Sequence, residues 1–330
     1  VAGSDLSVAN AKLSGKTIGL TATTGSVTVT NAVFAANDAL TVAAKTDADL
    51  KDASFTTNGA ALSMTATDGK VDLSTSDNSK ALNASSLTVI AGADADLGNR
   101  KVAATNDATV TAGGTVNAAA ADLQAGGALT LMASKDVLAT NGKLGGKSVA
   151  LTATTGSVTA QDATLTSTGA TEVTAGQDID LATAHITGKD VMLSAQNDLD
   201  AASAAINGVT LKAYAKTGDA AFNQASVEMT SSATVAAGGD LSATNAVMNA
   251  NGLSLTAQNG NVDATDATLS AKTIGLMAMM GSVSAMNAVL AANDALAVAA
   301  KTDANLKDAS FTTNGAAVSM TATDGKVDLS

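Results

Sequence analysis

The chain has 330 residues, a formal net charge of −12, a single arginine, no cysteine and no proline. The absence of cysteine excludes disulfides and thiolate zinc sites, and the shortage of cations argues against nucleic acid or an anionic membrane surface as a partner. No signal peptide, lipidation motif or long apolar run is present, so membrane insertion is not predicted.

A unit of about 21 residues recurs along the chain and is usually closed by glycine. The period is clearest in the second half, where four glycines follow one another at steps of 21. The closing glycines are Gly69, Gly114, Gly156, Gly218, Gly239, Gly260, Gly281 and Gly325. A period of this length predicts a solenoid, in which each repeat packs on its neighbours.

Each unit carries three sets of apolar residues separated by small and polar residues. The first set is Val27, Leu50, Val71, Val137, Val158, Ile179, Leu199 and Leu241. The second set is Leu13, Phe34, Leu123, Leu144, Leu165, Ile186, Ile206 and Leu290. The third set consists of pairs two residues apart: Ile18/Leu20, Leu129/Leu131, Val149/Leu151, Val191/Leu193, Leu253/Leu255 and Ile274/Leu276. Such alternation predicts strands with one buried face.

These sets predict three strands of two to five residues per unit, joined by corners in which Gly and Asn accept positive φ. No apolar stripe of helical spacing is present, so no helix is predicted. The predicted fold is all-β, a parallel β-helix of about 15 coils of about 21 residues that spans 1–330 as a single repeat segment. Coils about 4.8 Å apart would make a rod about 70 Å long. The absence of proline agrees with strands that need every N–H.

A longer repeat lies above the short one. Residues 16–74 and 272–330 align without a gap at an offset of 256, and 49 of the 59 positions are identical. This offset predicts a tandem duplication of twelve coils, and we expect the chain to be a piece of a longer protein. Four of the ten differences are Thr to Met, at Thr21/Met277, Thr23/Met279, Thr24/Met280 and Thr30/Met286. They are interpreted as drift at exposed positions or as an adaptable contact patch.

Aspartate is frequent at coil starts and corners. The residues concerned are Asp5, Asp136, Asp178, Asp198, Asp240 and Asp266. Converging carboxylates can bind calcium, but the GGxGxD repeat is absent and aspartate is an ordinary corner residue. Solvated corners are therefore expected, with calcium as the alternative; no metal ligand and no cofactor-binding residue is assigned.

An enzyme is not predicted. Asp178/Asp180 and Asp198/Asp200 have strand spacing, so each pair shares a face, and carbohydrate-active β-helices use acidic clusters. With one His, one Arg and one Tyr in the chain, a complete acid/base site is not expected and no catalytic residue is assigned.

Other polar residues have structural interpretations. His185 is expected at an exposed edge, and Tyr214 is expected to pack on a coil edge or to serve as a contact residue. The mixed-charge segments 45–52 and 301–308 are expected to be solvated. The Thr-x-Thr pairs that begin at Thr21, Thr65, Thr152 and Thr321 are too discontinuous to predict an ice-binding ladder.

Three segments resemble a known family. LTATTGSVTVTNAVFAANDALTVAA (20–44), LTATTGSVTAQDATL (151–165) and LSLTAQNGNVDATDATL (253–269) are similar to the haemagglutinin repeats of filamentous haemagglutinins and contact-dependent inhibition proteins, the large exoproteins of two-partner secretion. The resemblance implies a right-handed β-helical shaft and an outer-membrane transporter as partner, but no functional residues. Segments 48–57 and 304–313 also match two pentapeptide repeats, whose period does not extend further.

The expected function is a structural and adhesive shaft segment of a long bacterial surface or secreted protein. The expected location is extracellular or at the bacterial cell surface. The expected partners are a host or neighbouring cell surface, or other copies of the chain. The alternatives are a self-assembling filament or surface-layer subunit and, less favoured, a carbohydrate-active β-helix enzyme.

Overall fold

The computed structural model describes residues 1–76, 80–315 and 317–330. Within these residues the chain has no helix and is about 60% strand. Its parallel sheets form a β-solenoid of about 15 turns, roughly 21 residues apart. The predicted all-β parallel solenoid is therefore confirmed, whereas its right-handedness stays an expectation from the resemblance.

The chain divides into two compact units, Val1–Thr168 and Gly169–Ser330. The interpretation of 1–330 as a single segment stays a prediction. The strands of the first unit are β1 Leu6–Ala9, β2 Lys12–Ala22, β3 Val27–Thr30, β4 Val33–Ala44, β5 Ala48–Asp49, β6 Ser54–Thr57, β7 Ala61–Ala66, β8 Val71–Asp72, β9 Ala81–Ala84, β10 Ser86–Ala91, β11 Ala95–Asp96, β12 Lys101–Ala104, β13 Ala108–Ala112, β14 Val116–Asn117, β15 Asp122–Ala125, β16 Ala128–Ala133, β17 Val137–Leu138, β18 Lys143–Gly146, β19 Ser148–Ala153, β20 Val158–Thr159 and β21 Thr164–Ser167.

The strands of the second unit are β22 Ala170–Ala175, β23 Ile179–Asp180, β24 His185–Ala195, β25 Leu199–Asp200, β26 Ala205–Ala215, β27 Ala220–Ala221, β28 Ser226–Ala237, β29 Leu241–Ser242, β30 Val247–Asn249, β31 Gly252–Ala257, β32 Val262–Asp263, β33 Thr268–Ala278, β34 Val283–Ser284, β35 Val289–Ala300, β36 Ala304–Asn305, β37 Ser310–Thr313, β38 Ala317–Ala322 and β39 Val327–Asp328.

Each coil contributes a short strand to a narrow sheet and longer strands to a wide sheet. In the first unit the narrow sheet runs β1-β3-β5-β8-β11-β14-β17-β20, and in the second unit it runs β23-β25-β27-β29-β32-β34-β36-β39. The wide sheet pairs β7 with β10 and β10 with β13 in the first unit, and β31 with β33 and β33 with β35 in the second. All these pairings are parallel, so each side chain stacks on its counterpart in the next coil.

The strands are not uniformly short, as predicted, because neighbouring segments merge in several coils. β24 has 11 residues and β28 has 12. In β24 the in–out alternation changes phase at two consecutive exposed residues, Lys189 and Asp190. The chain thus turns at this point while it remains hydrogen-bonded to its neighbours, so the second and third predicted strands become one.

The three predicted apolar sets form the interior, apart from Leu13, which is only half-buried. Phe34 and Phe55 stack with ring centroids 5.2 Å apart. One assignment was wrong: Leu50 is buried, but the residue that pairs with Val27 in the narrow sheet is Ala48. Leu50 lies two residues further on, at an inward position that the sequence pattern did not distinguish from the first.

The two copies of the duplicated segment have the same local structure. Strands β2 and β4 reappear at an offset of 256 as β33 and β35, and β5 to β8 reappear as β36 to β39. Ala316 of the second copy lies outside the described residues.

One corner of each coil requires a left-handed residue. Fourteen described non-glycine residues have positive φ there, between 49° and 60°. They include Asn10, Asn31, Asn99, Asn141 and Asp266, and asparagine and aspartate tolerate this conformation better than other residues. The prediction of positive φ at Asn corners is confirmed. The closing glycines behave differently, because only Gly59 and Gly315 have positive φ among the described glycines.

Candidate functional site

The closing glycines are required by close packing between coils. A Cβ at Gly239 would overlap Asp219 Oδ1 of the preceding coil, and a Cβ at Gly281 would lie 2.6 Å from Asn261 Oδ1. The same carboxylate accepts a hydrogen bond from the residue after the glycine, as Asp240 N donates to Asp219 Oδ1 over 2.7 Å. Aspartate and glycine therefore form one corner device that connects each coil to the next.

Most of the predicted aspartates belong to this device. The carboxylates of Asp5, Asp136, Asp178, Asp198 and Asp240 each accept a backbone N–H from the next coil, over 2.6–3.2 Å. Asp266 occupies the left-handed corner with a φ of 57°, and its Oδ1 accepts a hydrogen bond from Asn287 Nδ2 over 3.1 Å.

These hydrogen bonds give the aspartates a role that needs no ion. In the described part of the chain, no group of three or more His, Cys, Asp or Glu side chains could hold a metal ion. The calcium alternative therefore gains no support from this geometry.

The two acidic pairs share one face, as predicted, but each carboxylate serves a different corner. Ile179 and Leu199 lie between the members of each pair and point into the core. Asp180 Oδ1 accepts a hydrogen bond from Ala182 N over 3.1 Å, and Asp200 Oδ1 accepts one from Ala202 N over 2.8 Å. These carboxylates stabilise local turns, and none of them is shown to converge with its pair partner on a common point.

His185 begins β24 with an exposed side chain, while the adjacent Ile186 is fully buried. Tyr214 is half-buried on the outer face of β26. It borders an open hollow of about 340 Å³, together with Lys216, Ala236 and Gln258. Tyr214 is thus accessible on one side, which leaves both of its predicted interpretations open.

The mixed-charge corners are surface ion pairs. Lys45 Nζ lies 2.7 Å from Asp68 Oδ2, and Lys301 Nζ lies 2.7 Å from Asp324 Oδ2. All four side chains are more than a third exposed, so each pair contributes no more than about 1 kcal/mol. The threonine column of the first unit is interrupted where Ile90 stacks between Thr65 and Thr111.

Sequence reasoning missed the most unusual residue of the structure. Arg100 is fully buried, although it is the only arginine in the chain. It follows the left-handed Asn99, and the residue after such a corner is a buried alanine in other coils, for example Ala32 and Ala53. This departure from the alanine pattern was a signal that the sequence did contain.

The guanidinium group of Arg100 donates to main-chain carbonyls of two preceding coils. Nε lies 2.6 Å from Leu73 O, and Nη1 lies 2.7 Å from Ala53 O and 3.1 Å from Lys80 O. A longer contact of 3.5 Å joins Nη2 to Leu50 O. The donors of this planar group are thus distributed over a region where the backbone carbonyls point inward.

This region contains a longer coil. Thr75 Oγ1 donates to Asn99 O across 24 residues, whereas the equivalent separation for Asn117 and Asp96 is 21. The coil next to Arg100 therefore has three additional residues, of which 77–79 lie outside the described part of the chain. We conclude that Arg100 supplies donors to carbonyls beside a coil that departs from the regular repeat.

Burial lowers the pKa of Arg100 to about 10, and the nearby carboxylates of Asp52 and Asp72 oppose this effect. Arg100 is therefore still charged at pH 7. The lowered pKa corresponds to a desolvation cost of about 3 kcal/mol. Three charge-assisted hydrogen bonds, at about 1.5–3 kcal/mol each, offset that cost.

The Thr-to-Met differences lie on the outer surface, as the drift interpretation requires. Met277, Met279 and Met280 are 45%, 56% and 61% exposed, and Met286 is half-buried. The structure is equally compatible with the contact-patch interpretation. Asn305 Nδ2 approaches Met286 Sδ at 3.1 Å.

No family model, curated protein or solved structure matches the chain. Among the described residues there is no helix long and apolar enough to cross a membrane.

Proposed function

We propose that the chain is a segment of a structural and adhesive shaft, part of a long bacterial surface or secreted fibrous protein. The observation that carries this proposal is the repeated connection between neighbouring coils. Each aspartate–glycine corner joins one coil to the next, and the polar corner residues are used for this purpose. A fold built in this way can grow in length by adding coils without a redesigned core.

The carboxylates support a structural role better than an enzymatic one. The acidic pairs, which were the best enzyme candidates, accept backbone hydrogen bonds at two different corners. An acid/base mechanism needs groups that can reach a common reacting atom. We therefore infer that the chain acts through reach and surface display rather than through catalysis.

The remaining parts of the proposal rest on the resemblance to filamentous haemagglutinin repeats. They are an extracellular or cell-surface location, secretion through an outer-membrane transporter, and contact with a host or neighbouring cell surface. A shaft with these properties needs no bound cofactor.

The test is to image the parent protein on cells before and after deletion of one block of 256 residues. Removing twelve coils in register should shorten a thin surface rod by about 58 Å and leave it attached. A control deletion of half a coil should break the stacking and lower the amount of protein at the surface. An unchanged length would overturn the proposal. Lateral sheets would favour the surface-layer alternative, and compact soluble particles would exclude a shaft.

A further inference from the structure

Three methionines meet at one corner of the second unit. Met277 is the outward residue just before the end of β33, and Met279 and Met280 follow that strand directly. Ala278, between the first two, is only 2% exposed, so Met277 and Met279 point outward on either side of it. All three methionines are exposed by 45% or more.

The thioether groups of this cluster can reach a common point. The Cα atoms of Met277 and Met279 are about 6.6 Å apart, as expected for two residues in an extended chain. Methionine has three rotatable side-chain bonds, so sulfur atoms at this spacing can move towards one ion. Met280 follows at the corner and adds a third flexible donor.

The outer surface leaves room for an ion beside these sulfur atoms. Met277 and Met279 border an open hollow of about 240 Å³. Ala299 stacks directly on Met277, and Thr321 stacks on Ala299. The small alanine side chain thus leaves space between Met277 and the next large residue.

The chemistry of the donors selects the ligand. Thioethers are neutral and polarizable, and they favour soft ions such as Cu(I) over calcium, magnesium or zinc. Lys301 also borders the hollow, but its ammonium group is paired with Asp324 at 2.7 Å, so its charge is balanced. We propose that Met277, Met279 and Met280 form a binding site for a soft monovalent cation, Cu(I) or Ag(I).

The first copy of the duplicated segment provides an internal comparison. Thr21, Thr23 and Thr24 occupy the equivalent positions, at the end of a strand with equivalent bounds. Thr23 and Thr24 donate hydrogen bonds to Gly3 O over 3.0 and 2.6 Å. Hydroxyl groups are hard ligands, so the site belongs to the second copy alone.

The experiment is a titration of the full chain with Ag(I), followed by calorimetry and by NMR of ¹³C-methyl methionine. We expect one tightly bound ion and shifts of the Met277, Met279 and Met280 methyl signals. Cu(I), titrated under anaerobic reducing conditions, should compete for the same site. The triple variant M277T/M279T/M280T should bind at least tenfold more weakly.

This triple variant carries the residues of the first copy, so it is expected to fold, and circular dichroism checks that it does. The control variant M132T/M192T removes two exposed methionines elsewhere and should keep the wild-type affinity. Unchanged binding in the folded triple variant, or methyl shifts confined to Met132 and Met192, would overturn the proposal. The absence of Ag(I) binding to the wild-type chain at micromolar concentration would overturn it as well.

Discussion

Replacement of Arg100 tests the idea that an interior cation satisfies the carbonyls beside the lengthened coil. In Arg100→Met the side chain keeps much of its volume but loses its donors. Three buried carbonyls, of Leu73, Ala53 and Lys80, then lose their partner. Each costs about 1–3 kcal/mol, or about 6 kcal/mol together. The variant recovers the desolvation cost of about 3 kcal/mol, so we expect a net loss of about 3 kcal/mol.

Arg100→Ala adds a cavity to this loss. Removal of about 85 Å³ of side chain at about 24 cal/mol per Å³ contributes a further 2 kcal/mol, which gives a total of about 5 kcal/mol. Urea unfolding followed by circular dichroism measures both variants, and hydrogen exchange should show the largest loss of protection between about residues 50 and 105. Lys101→Ala is the matched control, because Lys101 is the adjacent cation and its side chain is exposed.

The order of the three variants carries the inference. If Arg100→Ala unfolds within about 0.5 kcal/mol of the wild type, the carbonyls do not depend on the guanidinium group. If Arg100→Met is as stable as Lys101→Ala while Arg100→Ala is not, the side chain acts by its volume alone. Either result would refute the reasoning given for the hydrogen bonds.

Three further substitutions test the repeat. Gly239→Ala should cost about 2 kcal/mol in urea unfolding because its Cβ overlaps the preceding carboxylate, whereas Gly275→Ala, with open space around its Cβ, should be close to neutral; equal effects would contradict the steric explanation. Ala120→Gly should stabilise the chain by about 1 kcal/mol, because alanine at φ 53° is strained, and a thermal melt that shows a loss would contradict this. Phe34→Leu should lose about 1 kcal/mol of the stack with Phe55, and unchanged unfolding would show that the stack is energetically neutral.

The interior of the solenoid was predictable because it depends on a strictly repeated pattern. Parallel stacking places residues of equal position above one another, so an apolar residue that recurs every 21 residues must face the core. The pairs Leu129/Leu131 and Val191/Leu193 are fully or almost fully buried for this reason. Leu50 was assigned to the wrong position because two inward positions in the same coil accept either a small or a large apolar residue.

The corners were less predictable, since a single sequence does not show what the next coil places against a residue. Glycine suggested positive φ, but at Gly239 and Gly281 it is needed because the preceding coil approaches closely. The carboxylates suggested solvated corners or calcium, whereas Asp219 serves as a hydrogen-bond acceptor for the next coil. For Arg100, the local signal was one residue that departs from alanine, and its acceptors lie up to 50 residues away.

The locality of these corner contacts explains how a block of coils can be duplicated whole. In the first copy Lys70 N donates to Asp47, and in the second Lys326 N donates to Asp303, over 2.9 and 3.0 Å. The ion pair of Lys45 has its counterpart at Lys301 in the same way. Because every such contact joins neighbouring coils, a copied block carries its own stabilising contacts with it. Only the outward side chains are then free to change. The Thr-to-Met substitutions occur at outward positions, which is why we place a new chemical property of the second copy there.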